Sequence, residues 1–276
     1  KKHHIEALFV NIAPENAKTL AADLEDQAFG AYLMDKVERV KAWEALIAHP
    51  LIRKDIATLT SVRRILDNSE IAGIISKTDL QITVQKLAEK GVRCRTCQSG
   101  NPSYKYLDEI LDDLEHGASK FGNPYAKVIA DIKKGGSFTE GAMWIADGVR
   151  KYPNEFPAGT TLFEEVIEGG VRRVDVRVGD KFYEFKSNAT PPLYGFDVEQ
   201  FVKDMDLSEV TDLNQIKWWF DGKKVASLPK QQFLDQLQNA TIDQATINKL
   251  VKSGPKTKQA LLDLIDDNFN TIFSTK

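Results

Sequence analysis

A chain of 276 residues, 42% hydrophobic and 28% charged, is long enough to bury one or two cores. Its formal net charge of −3 gives no global footprint for nucleic acid, so any basic surface must be local. Two cysteines argue against a disulfide scaffold, no apolar run reaches the roughly 18 residues of a membrane span, and the N-terminal KKHHIEALFVN lacks the apolar core of a signal peptide. The expectation is a soluble protein, or a piece of a larger one.

The first third reads as helical. Residues 14–49 are rich in Ala, Leu, Lys and Glu and predict one or two helices, with Gly30 as a break and Pro50 as the stop. Further helices are expected over about 53–66 and 79–90, the second closed by Gly91. Trp43, Leu46, Ile47, Leu51, Ile52, Ile56 and Leu59 fall at helical spacing, the pattern of a packed helical module or of a linker to a preceding domain. The stretch from Gly73 to Thr78 lacks the glycines that a phosphate-binding loop needs and is not one.

Cys94 and Cys97 have C-x-x-C spacing, which leaves three readings open: free thiols in a turn, a zinc half-site with His116 as one further ligand, or a disulfide. An acidic helix over 104–115 and another over 124–134 follow, the latter entered at Pro124 and closed by Gly135-Gly136. In SFTEGAMWIADGVRKYP, Ser137 and Glu140 have the spacing of a capping box, and Ala142, Ile145, Ala146 and Val149 form a buried stripe. Glu140 is therefore either that cap or a carboxylate delivered by a helix to a site.

A strand over 160–168 leads through Gly169-Gly170 into RRVDVRVGDKFYEFKS, residues 172–187. Gly179-Asp180 is a two-residue, Gly-first hairpin turn. It pairs Val178 with Lys181 and sets Asp175 opposite Glu184. Because residues two apart share a face, one face carries Arg173, Asp175, Arg177, Glu184 and Lys186. Val174, Val176, Val178, Tyr183 and Phe185 form the other, a core face. Carboxylates opposed across two strands have Cβ atoms roughly 5 Å apart and repel. A divalent cation with hard oxygen ligands would compensate. Lys186 follows Glu184 on the same face, ~7 Å along the strand. In the preceding hairpin a two-residue loop would put Glu164 on the charged face, and a three-residue loop Glu165.

Pro191-Pro192 marks a loop, and a helix starts at Phe196 or Asp197 and runs to about Met205, with Gln200 off its apolar stripe. NQIKWWFDGKKV reads as a last strand turning at Asp221-Gly222, and the chain beyond Pro229 as helical to the end, broken near Ser253-Gly254-Pro255. Acid-x-Lys triplets occur at Asp131-Ile-Lys133, Glu184-Phe-Lys186 and Asp221-Gly-Lys223, but only the second lies on a strand with an acid opposite. A solvated strand face would explain alternating charge; it does not explain why two acids oppose each other.

The order helix with Glu140, strand, strand with Asp175, strand with Glu184-x-Lys186, helix with Gln200, strand gives an α/β (α+β) core of αβββαβ type. Over roughly 136–225 this resembles the PD-(D/E)xK, or restriction-endonuclease-like, superfamily, with Val174 where the family has Pro. RRVDV…YEFKS followed by the aromatic helix with Gln200 is similar to nuclease domains at the C-termini of bacterial polymorphic toxins, as is the preceding CRTC…DDL…SFTEGA. The resemblance implies a helical N-terminal region (1–92) and a nuclease domain (93–276) with its core at about 136–226 and a helical extension over 227–276. It also implies Mg²⁺ or Mn²⁺ held by Asp175 and Glu184, Glu140 as the helix-borne acid, Lys186 assisting the attacking water and Gln200 as an accessory polar group. Arg173 and Arg177 would hold flanking phosphates or neutralise the acids. The expected activity is endonucleolytic cleavage of DNA by an antibacterial effector, delivered as part of a larger protein into the target cytoplasm and countered by a cognate immunity protein. The alternatives are an RNase on the same fold and a catalytically silent nucleic-acid-binding domain.

Overall fold

A computed structural model describes residues 2–167, 172–188 and 190–276. Among these the chain is mixed α+β, with fourteen α-helices and one open five-stranded sheet. It divides into two compact units, 1–146 and 147–276. The boundary expected near residue 92 lies inside the first unit, and the division falls within a helix.

The first unit is helical. Residues 14–49 form three helices rather than one or two: α2 (Pro14–Glu25), α3 (Gln27–Asp35) and α4 (Glu38–Leu46), after α1 (Lys2–Val10). The break falls at Asp26, whose carboxylate accepts from the amides of Ala28 and Phe29 as an N-cap. Gly30 lies inside α3, where a Cβ would stand 2.3 Å from the Leu24 carbonyl oxygen, so glycine here permits close approach of backbones and is not a stop. α5 (Ile56–Asp67), α6 (Lys77–Glu89), α7 (Leu107–Phe121), α8 (Ala126–Lys134) and the start of α9 (Gly136–Lys151) complete the unit. Trp43 is fully buried and donates from Nε1 to Asp23 at 2.6 Å, and Arg53 pairs with the same carboxylate at 2.9 Å. Leu51 and Ile56, expected in the apolar stripe, are exposed: Leu51 lies in the turn over 47–54, and Ile56 on the outward side of the first turn of α5. Cys94 and Cys97 are joined in a disulfide, which removes both thiolates from a zinc site and settles the open readings of that pair.

The second unit is built on the sheet. β1 (Thr161–Ile167), β2 (Arg172–Val178) and β3 (Lys181–Lys186) form an antiparallel meander; β4 (Ile216–Phe220) and β5 (Phe273–Thr275) add in parallel, in the order β1-β2-β3-β4-β5. A parallel neighbour needs a crossover, and α10 (Val198–Asp206) supplies it between β3 and β4. β5 corrects the expectation of helix to the C-terminus: after α11 (Lys230–Asn239), α12 (Gln244–Leu250), α13 (Lys258–Asp267) and α14 (Phe269–Ile272), three residues pair with β4.

Both faces of the sheet are packed. Phe182, Trp218, Phe220 and Phe273 join residues of α10 to α14 in one cluster, with Phe196 and Phe233 stacked at 4.2 Å between ring centroids. On the other face Phe156, Tyr183, Phe185 and Trp219 interlock at centroid distances of 5.0–6.1 Å. Trp218 and Trp219 are thus both core. Such rings bury large apolar areas, which makes the central strands the heart of this unit's core.

Candidate metal and phosphodiesterase site

The turn at Gly179-Asp180 does what its residues require. Gly179 has φ +58°, and the ladder runs Val178↔Lys181, Arg177↔Phe182, Val176↔Tyr183. The ladder ends there, where the Phe185 amide donates to the Asp175 carboxylate at 2.7 Å; the same register carried one step on sets Asp175 across from Glu184. In β1, Phe163 pairs with Val176 and Glu165 with Val174, so Glu164 lies across from Asp175 on the other side. The four residues joining β1 to β2, Gly169 and Gly170 among them, lie outside the described residues. Glu164 is held at φ +47°, a conformation costing a non-glycine residue on the order of 1–3 kcal/mol. Three carboxylates thus form a row across β1, β2 and β3.

Their environments differ. Glu184 is 6% exposed and strongly compensated. Its Oε1 accepts from Lys186 Nζ at 2.9 Å and from Gln200 Nε2 at 2.7 Å, and its Oε2 from Arg172 Nη2 at 2.6 Å. Gln200 also accepts from Lys186 Nζ at 2.6 Å, and that ammonium stands 4.5 Å from the Trp218 ring centroid. Glu184, Lys186 and Gln200 therefore form a closed triangle in which each side chain fixes the other two. Asp175 is the under-compensated member. Burial first, then the charges of Glu184 and Glu164, push its carboxyl well above the usual carboxylate range, against one amide bond from Phe185 at 2.7 Å and the more distant Lys186.

Asp175, Glu184, Lys186 and Gln200 are thus brought together within the second unit. Glu140 belongs to the first, where its carboxylate pairs with Lys90 Nζ at 2.9 Å. α9 starts one residue before Ser137, which falls in the first turn, so the capping box expected of Ser137 and Glu140 is not the start of this helix. Arg173 pairs with Glu164 at 3.0 Å, and Arg177 with Glu165 at 3.4 Å and with Glu209. Both arginines thus pair with acids of β1 or of the segment before β4, where the sequence leaves open contact with phosphates or neutralisation of Asp175 and Glu184.

The neutraliser of Glu184 was missed. Alternation along β2 puts Arg172 with the valines, yet its buried guanidinium reaches Glu184, Asp204 and the Arg173 carbonyl. Asp204, 2% exposed, accepts from Arg172 Nε and from Trp218 Nε1 at 2.9 Å. Burial raises the Asp204 carboxyl to about 6, with Arg172 opposing the shift. A signal for Asp204 was present: it follows Gln200 by four residues on α10, and such residues share a helix face.

The donor chemistry fits a divalent cation. Asp175 and Glu184 offer hard carboxylate oxygens, and Asp175 lacks the counter-charge that such an ion would supply. No three His, Cys, Asp or Glu side chains among the described residues form a metal cage by themselves. A small ion such as Mg²⁺ is commonly held by one or two carboxylates, with water and substrate phosphate completing its shell. No helix among the described residues is long and apolar enough to cross a membrane. No family model, curated protein or solved structure matches the chain.

Proposed function

We propose that the second unit is a metal-dependent endonuclease that hydrolyses phosphodiester bonds of DNA. The observation that carries this reading is the closed triangle of Glu184, Lys186 and Gln200 set against a half-buried, under-compensated Asp175 across a tight hairpin. A structural ion-pair network would satisfy all its members; this one holds a carboxylate where its charge costs most. Bound there, Mg²⁺ or Mn²⁺ would polarise a phosphoryl oxygen and acidify a water. Asp175 and Glu184 would hold such an ion. Lys186, fixed by Gln200 and Glu184, directs its ammonium at the nucleophile or at charge developing on phosphate. Arg173 and Arg177 are in this reading the groups for flanking phosphates. The order α9-β1-β2-β3-α10-β4 supports a restriction-endonuclease-like core for residues 136–226.

The biological role proposed with it is that of an antibacterial effector, delivered within a larger protein, acting in the target cytoplasm and held in check by an immunity protein. The resemblance of RRVDV…YEFKS to polymorphic-toxin nucleases supports that role. Supercoiled plasmid incubated with the protein and Mg²⁺ should be nicked and linearised, EDTA should stop the reaction, and Glu184→Ala or Lys186→Ala should lower the rate at least 100-fold, the order of loss for general acid–base or electrostatic groups. Cleavage of tRNA but not plasmid would move the substrate to RNA. Undiminished cleavage by both variants would remove the site assignment. Expression of the wild-type protein in a bacterial cytoplasm should damage the nucleoid, and the same two substitutions should relieve it.

A further inference from the structure

Glu184 is gripped from two sides, and only one of them belongs to the triangle. The second grip is a buried chain of charge: Trp218 Nε1 donates to Asp204 Oδ2 at 2.9 Å, Asp204 Oδ1 accepts from Arg172 Nε, and Arg172 Nη2 donates to Glu184 Oε2 at 2.6 Å. Arg172, Glu184 and Asp204 are 8%, 6% and 2% exposed, so water supplies little of their solvation. A guanidinium alone against Glu184 would cancel the charge that a cation or Lys186 uses. Asp204 on its far side returns that charge and, anchored by the Trp218 indole, sets the plane of the guanidinium fork.

We propose that Asp204, acting through Arg172, is a positioning residue for Glu184: it fixes one edge of the carboxylate and balances the Arg172 charge, so that the three groups together present a net negative charge to a cation. The inference rests on the endonuclease reading above. It assigns a role to two residues outside the acid-x-Lys motif, and it explains why α10 presents Gln200 and Asp204 together. The two side chains hold opposite ends of one carboxylate's environment, one directly and one through the arginine.

The test uses the full chain at mildly alkaline pH, with Mn²⁺ affinity from calorimetry read beside plasmid cleavage and thermal unfolding. Asp204→Asn keeps an acceptor for Trp218 while removing the charge and the second acceptor, which Arg172 Nε uses. It should weaken Mn²⁺ binding and lower kcat by about 10–100-fold, the usual cost of losing a group that orients a metal ligand, with KM for DNA little changed. Adding Arg172→Gln to Asp204→Asn removes the unbalanced guanidinium and leaves a neutral buried pair, so it should restore much of the Mn²⁺ affinity. Such non-additivity is the mark of residues acting through one another, and a purely structural pair would not show it. A folded Asp204→Asn variant that binds Mn²⁺ and cleaves like the wild type overturns the proposal alone. So does a double variant whose losses simply add. Wild-type protein that neither binds Mn²⁺ nor cleaves nucleic acid overturns the endonuclease reading and this one with it.

Discussion

Asp175 and Glu184 are chemically alike and face each other, but their surroundings separate them. Glu184 has Arg172, Lys186 and Gln200; Asp175 has one backbone amide and two neighbouring carboxylates. Groups with strongly shifted ionisation concentrate at functional sites, because folding alone gains nothing from them. Asp204 gives the clearest pH signature. Its carboxyl is raised to about 6 in the folded protein, chiefly by burial, from about 4 for an ordinary aspartate. A raised acid contributes stability while it is protonated in both states, and that contribution is lost as pH rises through the folded value. The stability difference between the wild type and Asp204→Asn should therefore shift against the wild type between about pH 4 and pH 7, measured by urea unfolding at each pH. A difference that stays flat across this window would mean that Asp204 ionises normally in the fold.

At the scale of elements, the hairpin β2–β3 was legible because Gly179-Asp180 fixes both loop length and parity. The opposition of Asp175 and Glu184 follows from that turn alone. The register of β1 was not legible, since loop length decides whether Glu164 or Glu165 faces the site. The structure's register sets Glu164 across from Asp175, at a strained backbone angle that no pattern of residue types reveals. Arg172 escaped because side-chain alternation ignores how far an arginine reaches at the end of a strand. β5 escaped because a three-residue strand has no periodicity, and its pairing with β4 is made across more than fifty residues of chain. Gly148 in α9 shows the same dependence on packing. A Cβ there would stand 2.6 Å from the Phe185 ring, on the strand that carries Glu184 and Lys186. Gly148→Ala should destabilise by about 1–3 kcal/mol, the usual cost of overpacking a core, and lower cleavage by shifting β3. Chemical denaturation checks the first, and an unchanged midpoint would show that the ring moves aside freely.

For the whole molecule, composition set the scale and excluded little, while one charged hairpin carried most of the functional content. The helical first third was legible as helices and not as boundaries: Asp26 rather than Gly30 divides α2 from α3, through a cap that competes with helix continuation. The division at 146/147 puts the disulfide with the N-terminal helices and concentrates the Asp175, Glu184, Lys186 and Gln200 constellation in one unit of 130 residues. That constellation is the centre of the account, and the claim beneath every proposed step is that Asp175 and Glu184 together hold a divalent cation. Calorimetric titration of the wild type and Asp175→Asn with Mn²⁺ tests it most directly. Saturable binding by the wild type should be lost in Asp175→Asn, with the metal-free variant at least as stable as the wild type because a half-buried carboxylate repelled by Glu184 and Glu164 has been removed. Equal Mn²⁺ binding by the two proteins, or none by either, would contradict it.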